Sequence, residues 1–341
     1  MIAVVTGSSG FIGSHLVDAL LERGATVRAL VRAESSQVAR DSRVSYFTAD
    51  LLDDRSVREC AIWAGATHVF LVGGVTKRRT LAEFRDGNVV PTANILAALA
   101  VRAAAVRRVV LVSSQAAAGP AESPHRPLRE DDSPRPIEAY GRSKLEAEQA
   151  TRRFSDTLPI TIVRPGAVYG PRDADFLNIF KQATNRLSVY AASRDQLMSI
   201  VHVRDLVNAI MLAAESPMAR GRTYFVGSQA PVSWRDLYAA IAALSGARSI
   251  ELQLPSLLLG LAGRAGNAFS LITGRAVLLN ANKVALARPR WWLCDSTRIR
   301  DELGWKDETS VPAGLRETYL WYLHAGWLRP KKGADAVIAE R

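Results

Sequence analysis

The chain has 341 residues, 48% hydrophobic and 23% charged, which suits one or two folded domains and excludes a disordered chain. Its formal net charge is +11, but the basic residues are scattered rather than gathered in a stripe, so nucleic acid is not expected as a partner. Cys60 and Cys294 and the five histidines have no metal spacing, which excludes a disulfide framework and a zinc site and suits a reducing cytoplasm.

Ile2 to Thr6 reads as a buried strand with no basic leader or cleavage site before it. A helix follows over 14–23, with Leu16, Val17, Leu20 and Leu21 on one face and Gly24 as its stop. Between them lies Thr6-Gly7-Ser8-Ser9-Gly10-Phe11-Ile12-Gly13, a Gly-x-x-Gly-x-x-Gly turn. Glycines there let the backbone come close to a pyrophosphate, which rests on the free N–H groups of the helix start.

Further strands are expected at 26–32, 44–50, 68–72, 107–113 and 160–164, and helices near 53–64, 89–104 and 138–154. This alternation predicts an α/β fold: a Rossmann-type, doubly wound parallel sheet that binds ligands beyond the carboxyl ends of its strands. Arg32 stands at the end of the second strand, where an acidic residue would favour NAD, and its guanidinium suits a 2′-phosphate. Asp50 and Leu51 close the third strand. Ser114 follows the fifth, and Tyr140 and Lys144 lie four apart on one face of the next helix. A phenol is a poor base at neutral pH, and a neighbouring ammonium is expected to shift its equilibrium towards the phenolate.

The second half is less regular. Residues 1–170 are expected to form the dinucleotide-binding domain, to which 199–227 return as a strand and helix and a further strand. Residues 171–198 and 228–328 are expected to form a smaller, mostly helical substrate lobe, and 329–341 a flexible tail. The apolar stretch 252–279 is broken by Pro255, Arg264, Asn267 and Arg275, too interrupted to span a bilayer. It reads as the core of the lobe, as an apolar roof over a substrate cleft, or as a membrane-surface contact.

From Thr6 to Leu16, at Ser114 and at Tyr140-Gly141-Arg142-Ser143-Lys144, the chain resembles the extended short-chain dehydrogenases, the epimerase/dehydratase family. The resemblance implies a nicotinamide cofactor held by Gly7, Gly10, Phe11, Ile12, Gly13, Asp50, Leu51, Tyr140, Lys144 and Pro165, with Arg32 favouring NADP over NAD. It implies Ser114, Tyr140 and Lys144 as the catalytic residues, a structural role for His202, and a homodimer through the helices near 89–104 and 138–154. Gln115-Ala116 replace the Asp-Glu pair that sugar dehydratases carry after Ser114, so dehydration is disfavoured. Arg290-Trp291-Trp292-Leu293-Cys294-Asp295 resembles the hydroxysteroid dehydrogenase and dihydroflavonol reductase branch. The expectation is therefore an NADP-preferring reductase or dehydrogenase of a ketone or secondary alcohol on a bulky, apolar, steroid-, terpenoid- or flavonoid-like skeleton. A nucleotide-sugar epimerase is the first alternative and a non-catalytic NADP(H) sensor the second.

Overall fold

The computed structural model describes residues 1–32, 41–102, 104–190, 193–246, 250–253 and 281–330. Its strands are β1 Ile2–Thr6, β2 Thr26–Val31, β3 Val44–Thr48, β4 His68–Leu71, β5 Arg108–Val112, β6 Ile160–Pro165, β7 Ala167–Tyr169, β8 Leu187–Tyr190, β9 Leu197–Met198, β10 Ile200–His202 and β11 Thr223–Val226, followed by short pieces at Val232–Ser233, Ile250–Gln253 and Trp291–Trp292. Seven of them form one parallel sheet in the order β11-β6-β5-β4-β1-β2-β3. The order reverses between β1 and β4, which opens a crevice at their carboxyl ends.

Helices cover both faces, which explains why β5 is buried at every position and shows no polar alternation. Successive side chains of β1 go to opposite sides. Ala3 and Val5 join Leu16 and Leu20 of α1 (Phe11–Glu22) and Ile210 of the helix Val203–Glu215 in one core. Val4 joins the other core with Leu96 and Leu99 of the helix Val90–Arg102.

The helix expected over 89–104 has an unforeseen predecessor. After α2 (Asp54–Glu59) comes α3 (Leu81–Asn88), whose Thr80 cap accepts from Glu83 N at 3.2 Å while Glu83 Oε2 accepts from Arg79 N at 2.9 Å. Val89 interrupts it, and α4 (Val90–Arg102) restarts with Pro91 in its first turn, where a missing N–H costs little. The remaining helices are α5 Ala139–Arg152, α6 Leu177–Thr184, α7 Val203–Glu215 and α8 Trp234–Leu244, then Ala281–Ala287, Thr297–Leu303 and Val311–His324.

The return over 199–227 differs in one part from the expectation. β10 pairs with β7 in a separate two-stranded ribbon, while α7 returns to the face of the main sheet and β11 to its edge. Helix Thr297–Leu303, expected in the substrate lobe, also packs on the sheet side: Ile299 and Trp305 enter the α1–α7 core, and Trp305 Nε1 donates to Asp205 O at 2.9 Å. A third core joins Tyr169, Phe180 of α6, Ile241 of α8 and Tyr319 and Tyr322 of the last helix. The apolar roof expected over 252–279 lies, apart from Leu252 and Gln253, outside the described residues, as does the tail from 331. No helix among the described residues is long and apolar enough to cross a membrane.

Candidate active site

The loop after β1 and the Gly73–Gly74 loop after β4 wall a cleft of about 580 Å³ at the crevice. The two loops touch so closely that only glycine fits. Gly7 has φ 67°, and a Cβ there would stand 2.6 Å from Gly73 Cα; a Cβ at Gly13 would stand 2.0 Å from Gly7 O. α1 starts beside the cleft with Gly10 as a cap that has no side chain to offer, and its first turn holds no acidic residue. Its positive end is therefore left for an anion. Ser8 Oγ is buried with no hydrogen-bond partner, a polar atom that a phosphate oxygen would satisfy. These residues fit the pyrophosphate of a dinucleotide.

At the far end of the cleft stand Arg32, Asp50 and Leu51. Arg32 is exposed and has no ion-pair partner among the described residues. Asp50 Oδ1 accepts from Leu52 N at 3.0 Å, and Leu51 O accepts from Asn94 Nδ2 at 3.0 Å, so this wall is braced from α4. Phe11, Ile12 and Gly13 do not line the cleft; Phe11 and Ile12 pack against the core beneath the loop. Pro165 is buried at the end of β6, opposite Val226 of β11, and also lies off the cleft wall.

Ser114 follows β5, and α5 brings Tyr140 and Lys144 to it. Ser114 Oγ accepts from Ala116 N at 3.1 Å and stands near enough to the Tyr140 phenol to draw its pKa down, and Phe84 of α3 lies 6.1 Å from the Tyr140 ring. Lys144 is buried, and its ammonium donates to Val112 O at 2.7 Å. Burial pulls this amine down to about 8, against the charge of Glu148. Glu148, one turn further along α5, takes two bonds from Arg164, at 2.8 and 2.7 Å, and one from Ser113 Oγ at 2.6 Å. That pair fixes the floor under Lys144 to β5 and β6.

For the Tyr140 phenol, burial is the larger influence. Burial pushes Tyr140 up to about 12; Ser114 pulls the other way, and the charges of Glu138 and Asp175 push further up. The ammonium is engaged by a backbone carbonyl, and desolvation dominates the phenol.

Three contributors went unread in the sequence. Asn88 closes α3: its Oδ1 accepts from Val75 N at 2.7 Å, and its Nδ2 donates to Val75 O at 3.1 Å and to Ser143 Oγ at 2.9 Å, tying the β4 loop to α5. Its signal was a polar residue just ahead of a proline-started helix. Glu138 caps α5, its carboxylate accepting from Tyr140 N and Gly141 N at 2.5 Å each. Asp175, beyond β7, pairs with Lys77 of the β4 loop, a contact across 98 residues that no local pattern announces. His202 is buried at 2% exposure against Tyr169, and its Nδ1 accepts from Arg204 N at 3.4 Å as the cap of α7.

Residues 3–227 match the model of the NAD dependent epimerase/dehydratase family. The chain is 28% identical to a ceramide reductase of Caulobacter vibrioides, over 96% of each chain. It is 30% identical to the 4-hydroxy-2-methyl-3-oxo-4-farnesyl-3,4-dihydroquinoline-1-oxide ketoreductase of Stigmatella aurantiaca, over 91% of this chain and 93% of that one. It is likewise 28% identical to a UDP-glucose 4-epimerase of Mycolicibacterium smegmatis, over 93% and 97%. Among solved structures, MoeE5 in complex with UDP-glucose and NAD superposes with a TM-score of 0.75 at 23% identity, over 95% of this chain and 99% of that one.

Proposed function

The chain belongs to the NAD dependent epimerase/dehydratase family, and from that membership we propose that it is an NADP-preferring oxidoreductase acting on a ketone or secondary alcohol of a bulky, apolar substrate. It is an NAD(P)-dependent enzyme of the extended short-chain dehydrogenase type, as its relatives are. The observation that carries the reading is the placing of Ser114 at the carboxyl end of β5 beside Tyr140 of α5, with Lys144 one turn along the same helix.

When bound, the nicotinamide dinucleotide supplies the hydride chemistry. Gly7, Ser8, Gly10 and the start of α1 would hold its pyrophosphate, Asp50 and Leu51 its adenosine half, and Lys144 its nicotinamide ribose. Arg32, exposed at the cleft edge, supports the choice of NADP through a 2′-phosphate. Ser114 Oγ orients the reacting oxygen by a hydrogen bond. Tyr140 Oη gives that oxygen a proton when a ketone is reduced and takes one when an alcohol is oxidised. The Glu148–Arg164 pair and the Val112 carbonyl keep Lys144 from moving as the charge at Tyr140 changes.

Two relatives whose names specify a ceramide and a farnesyl-bearing ketone support the apolar substrate class. The second reading, a nucleotide-sugar epimerase, is favoured by the UDP-glucose 4-epimerase relative, which matches at the same identity as the ceramide reductase. The same proposal includes a cytoplasmic location and a twofold contact through α4 and α5. The deciding measurement is kcat/KM for apolar ketones and alcohols, with each nicotinamide cofactor, against UDP- and dTDP-sugars. Preference for a nucleotide sugar overturns the oxidoreductase reading.

A further inference from the structure

We propose that the Lys77–Asp175 ion pair is a gate that selects substrates by size: it bridges the β4 loop to the segment leading into the lobe and must part for a bulky substrate to reach Tyr140. The inference rests on the preceding reading for where the reaction takes place, and it adds a specificity-determining pair to that reading.

The pair joins two loops that are each firmly held. Lys77 follows Gly73, Gly74 and Val75 of the cleft wall. A Cβ at Gly74 would stand 3.9 Å from Lys144 Nζ, so this loop passes directly over the buried lysine. Asn88 fixes its base through both backbone groups of Val75. Asp175 lies on the segment between β7 and α6. There Pro171 O accepts from His15 Nε2 at 2.8 Å, and Arg172 pairs with Asp18 at 2.7 Å, both partners being on α1. Asp173 is 4% exposed; its Oδ1 accepts from Asp175 N at 2.8 Å and its carbonyl from the Tyr322 hydroxyl at 2.5 Å. Phe176 then enters the lobe core. Arg172 has φ 70°, a left-handed conformation that a residue with a side chain keeps only where its surroundings impose it. These ties present the Asp175 carboxylate to the β4 loop.

The bridge itself is the weak part. The Lys77 and Asp175 side chains are 59% and 53% exposed, and an ion pair in water contributes little to stability. The fold does not need it, since the buried contacts of Asp173, Tyr322 and Phe176 already hold the segment. Arg79 is occupied by Glu83 and Arg78 donates to Lys77 O, which leaves Lys77 to reach across. The charge of Asp175 is felt at the Tyr140 phenol, in keeping with a bridge that lies over the reaction site. A contact that parts at little cost between two fixed rims is what a gate requires. Closed, it keeps water from the nicotinamide; open, it admits a ring system or a long chain.

The test uses the full chain saturated with NADPH or NADH, whichever binds more tightly, and acrylamide, a neutral quencher of the reduced nicotinamide's fluorescence. Lys77→Ala and Asp175→Ala are each expected to raise the quenching constant about two- to fivefold, the population shift that an exposed ion pair can set. Raising NaCl to about 0.5 M is expected to open wild type in the same direction and leave both variants where they are. The exchanged pair, Lys77→Asp with Asp175→Lys, should return quenching to the wild-type value, which a merely structural role would not do. In turnover, kcat/KM for a steroid ketone should rise relative to that for cyclohexanone by about the same factor in the single variants. Single variants that quench as wild type does, at low and at high salt, overturn the gate and leave the pair an ordinary surface contact. Quenching that shifts as expected in a protein that reduces neither ketone supports the gate while removing the oxidoreductase reading, so the two failures are distinguishable.

Discussion

Replacing Tyr140 by Phe removes one hydroxyl and leaves in place the ring that faces Phe84. Turnover is expected to fall by about 10²–10⁴-fold, the usual worth of acid/base assistance, with cofactor affinity nearly unchanged by equilibrium titration. A variant that keeps most of its kcat would remove Tyr140 from the mechanism. Arg32 carries a different test, because it lines the adenosine end of the cleft with no carboxylate to neutralise it among the described residues. Arg32→Asp should weaken NADPH binding and improve NADH, since a carboxylate repels a 2′-phosphate and accepts from ribose hydroxyls. Equal wild-type dissociation constants for NADPH and NADH would reduce Arg32 to an ordinary surface charge.

Among the elements, the join between α3 and α4 matters most to the site. Asn88 sits at that join and bonds both to Val75 of the cleft wall and to Ser143 on α5. Asn88→Ala leaves the Val75 N–H without its acceptor, at a cost of about 1–3 kcal/mol. A lower Tm together with a reduced kcat is the expected result; an unchanged kcat would show that the cleft wall and α5 hold their places independently. The sheet was legible in the sequence because strands such as β1 and β5 are short apolar runs, and four of the seven are followed by an expected site residue: Gly7 after β1, Arg32 after β2, Asp50 after β3 and Ser114 after β5. Period and punctuation carry such information locally. α3 was missed although Thr80 and Glu83 make a capping box, because only Leu81 and Phe84 of its eight residues are large and apolar. The β10–β7 pairing was missed for another reason: which strand a three-residue segment joins depends on the backbone approach of Ser199 to Gly166, where a Cβ would stand 2.4 Å from Ser199 O. Asp175 and the burial that raises the Tyr140 phenol are likewise products of tertiary contact.

For the molecule as a whole, two buried groups where the β7 segment meets the lobe give opposite responses to acid. Burial, with help from the charge of Arg204, lowers His202 to about 4 from its ordinary 6.5. The unfolded chain therefore binds more protons than the folded one between these values, so stability from this group is intact above 6.5 and is lost as pH falls towards 4. Burial likewise dominates at Asp173, pushing it up to about 7 from 3.8, with the Asp175 charge adding to the rise and the Asp175 N–H opposing it. Here the folded chain binds more protons between 3.8 and 7, so stability rises as pH falls through that window. The effects are about 3 kcal/mol for His202 and about 4 kcal/mol for Asp173, and over their common range their slopes nearly cancel. His202→Asn keeps an acceptor to cap α7, and its stability relative to wild type is expected to improve as pH drops from 6.5 to 4. Asp173→Asn removes the buried carboxylate and should gain stability at neutral pH, then lose that advantage on acidification as the His202 penalty stands alone. Denaturant midpoints across this range check both variants. Parallel curves for wild type and His202→Asn would mean that His202 takes up its proton without leaving its place against Tyr169.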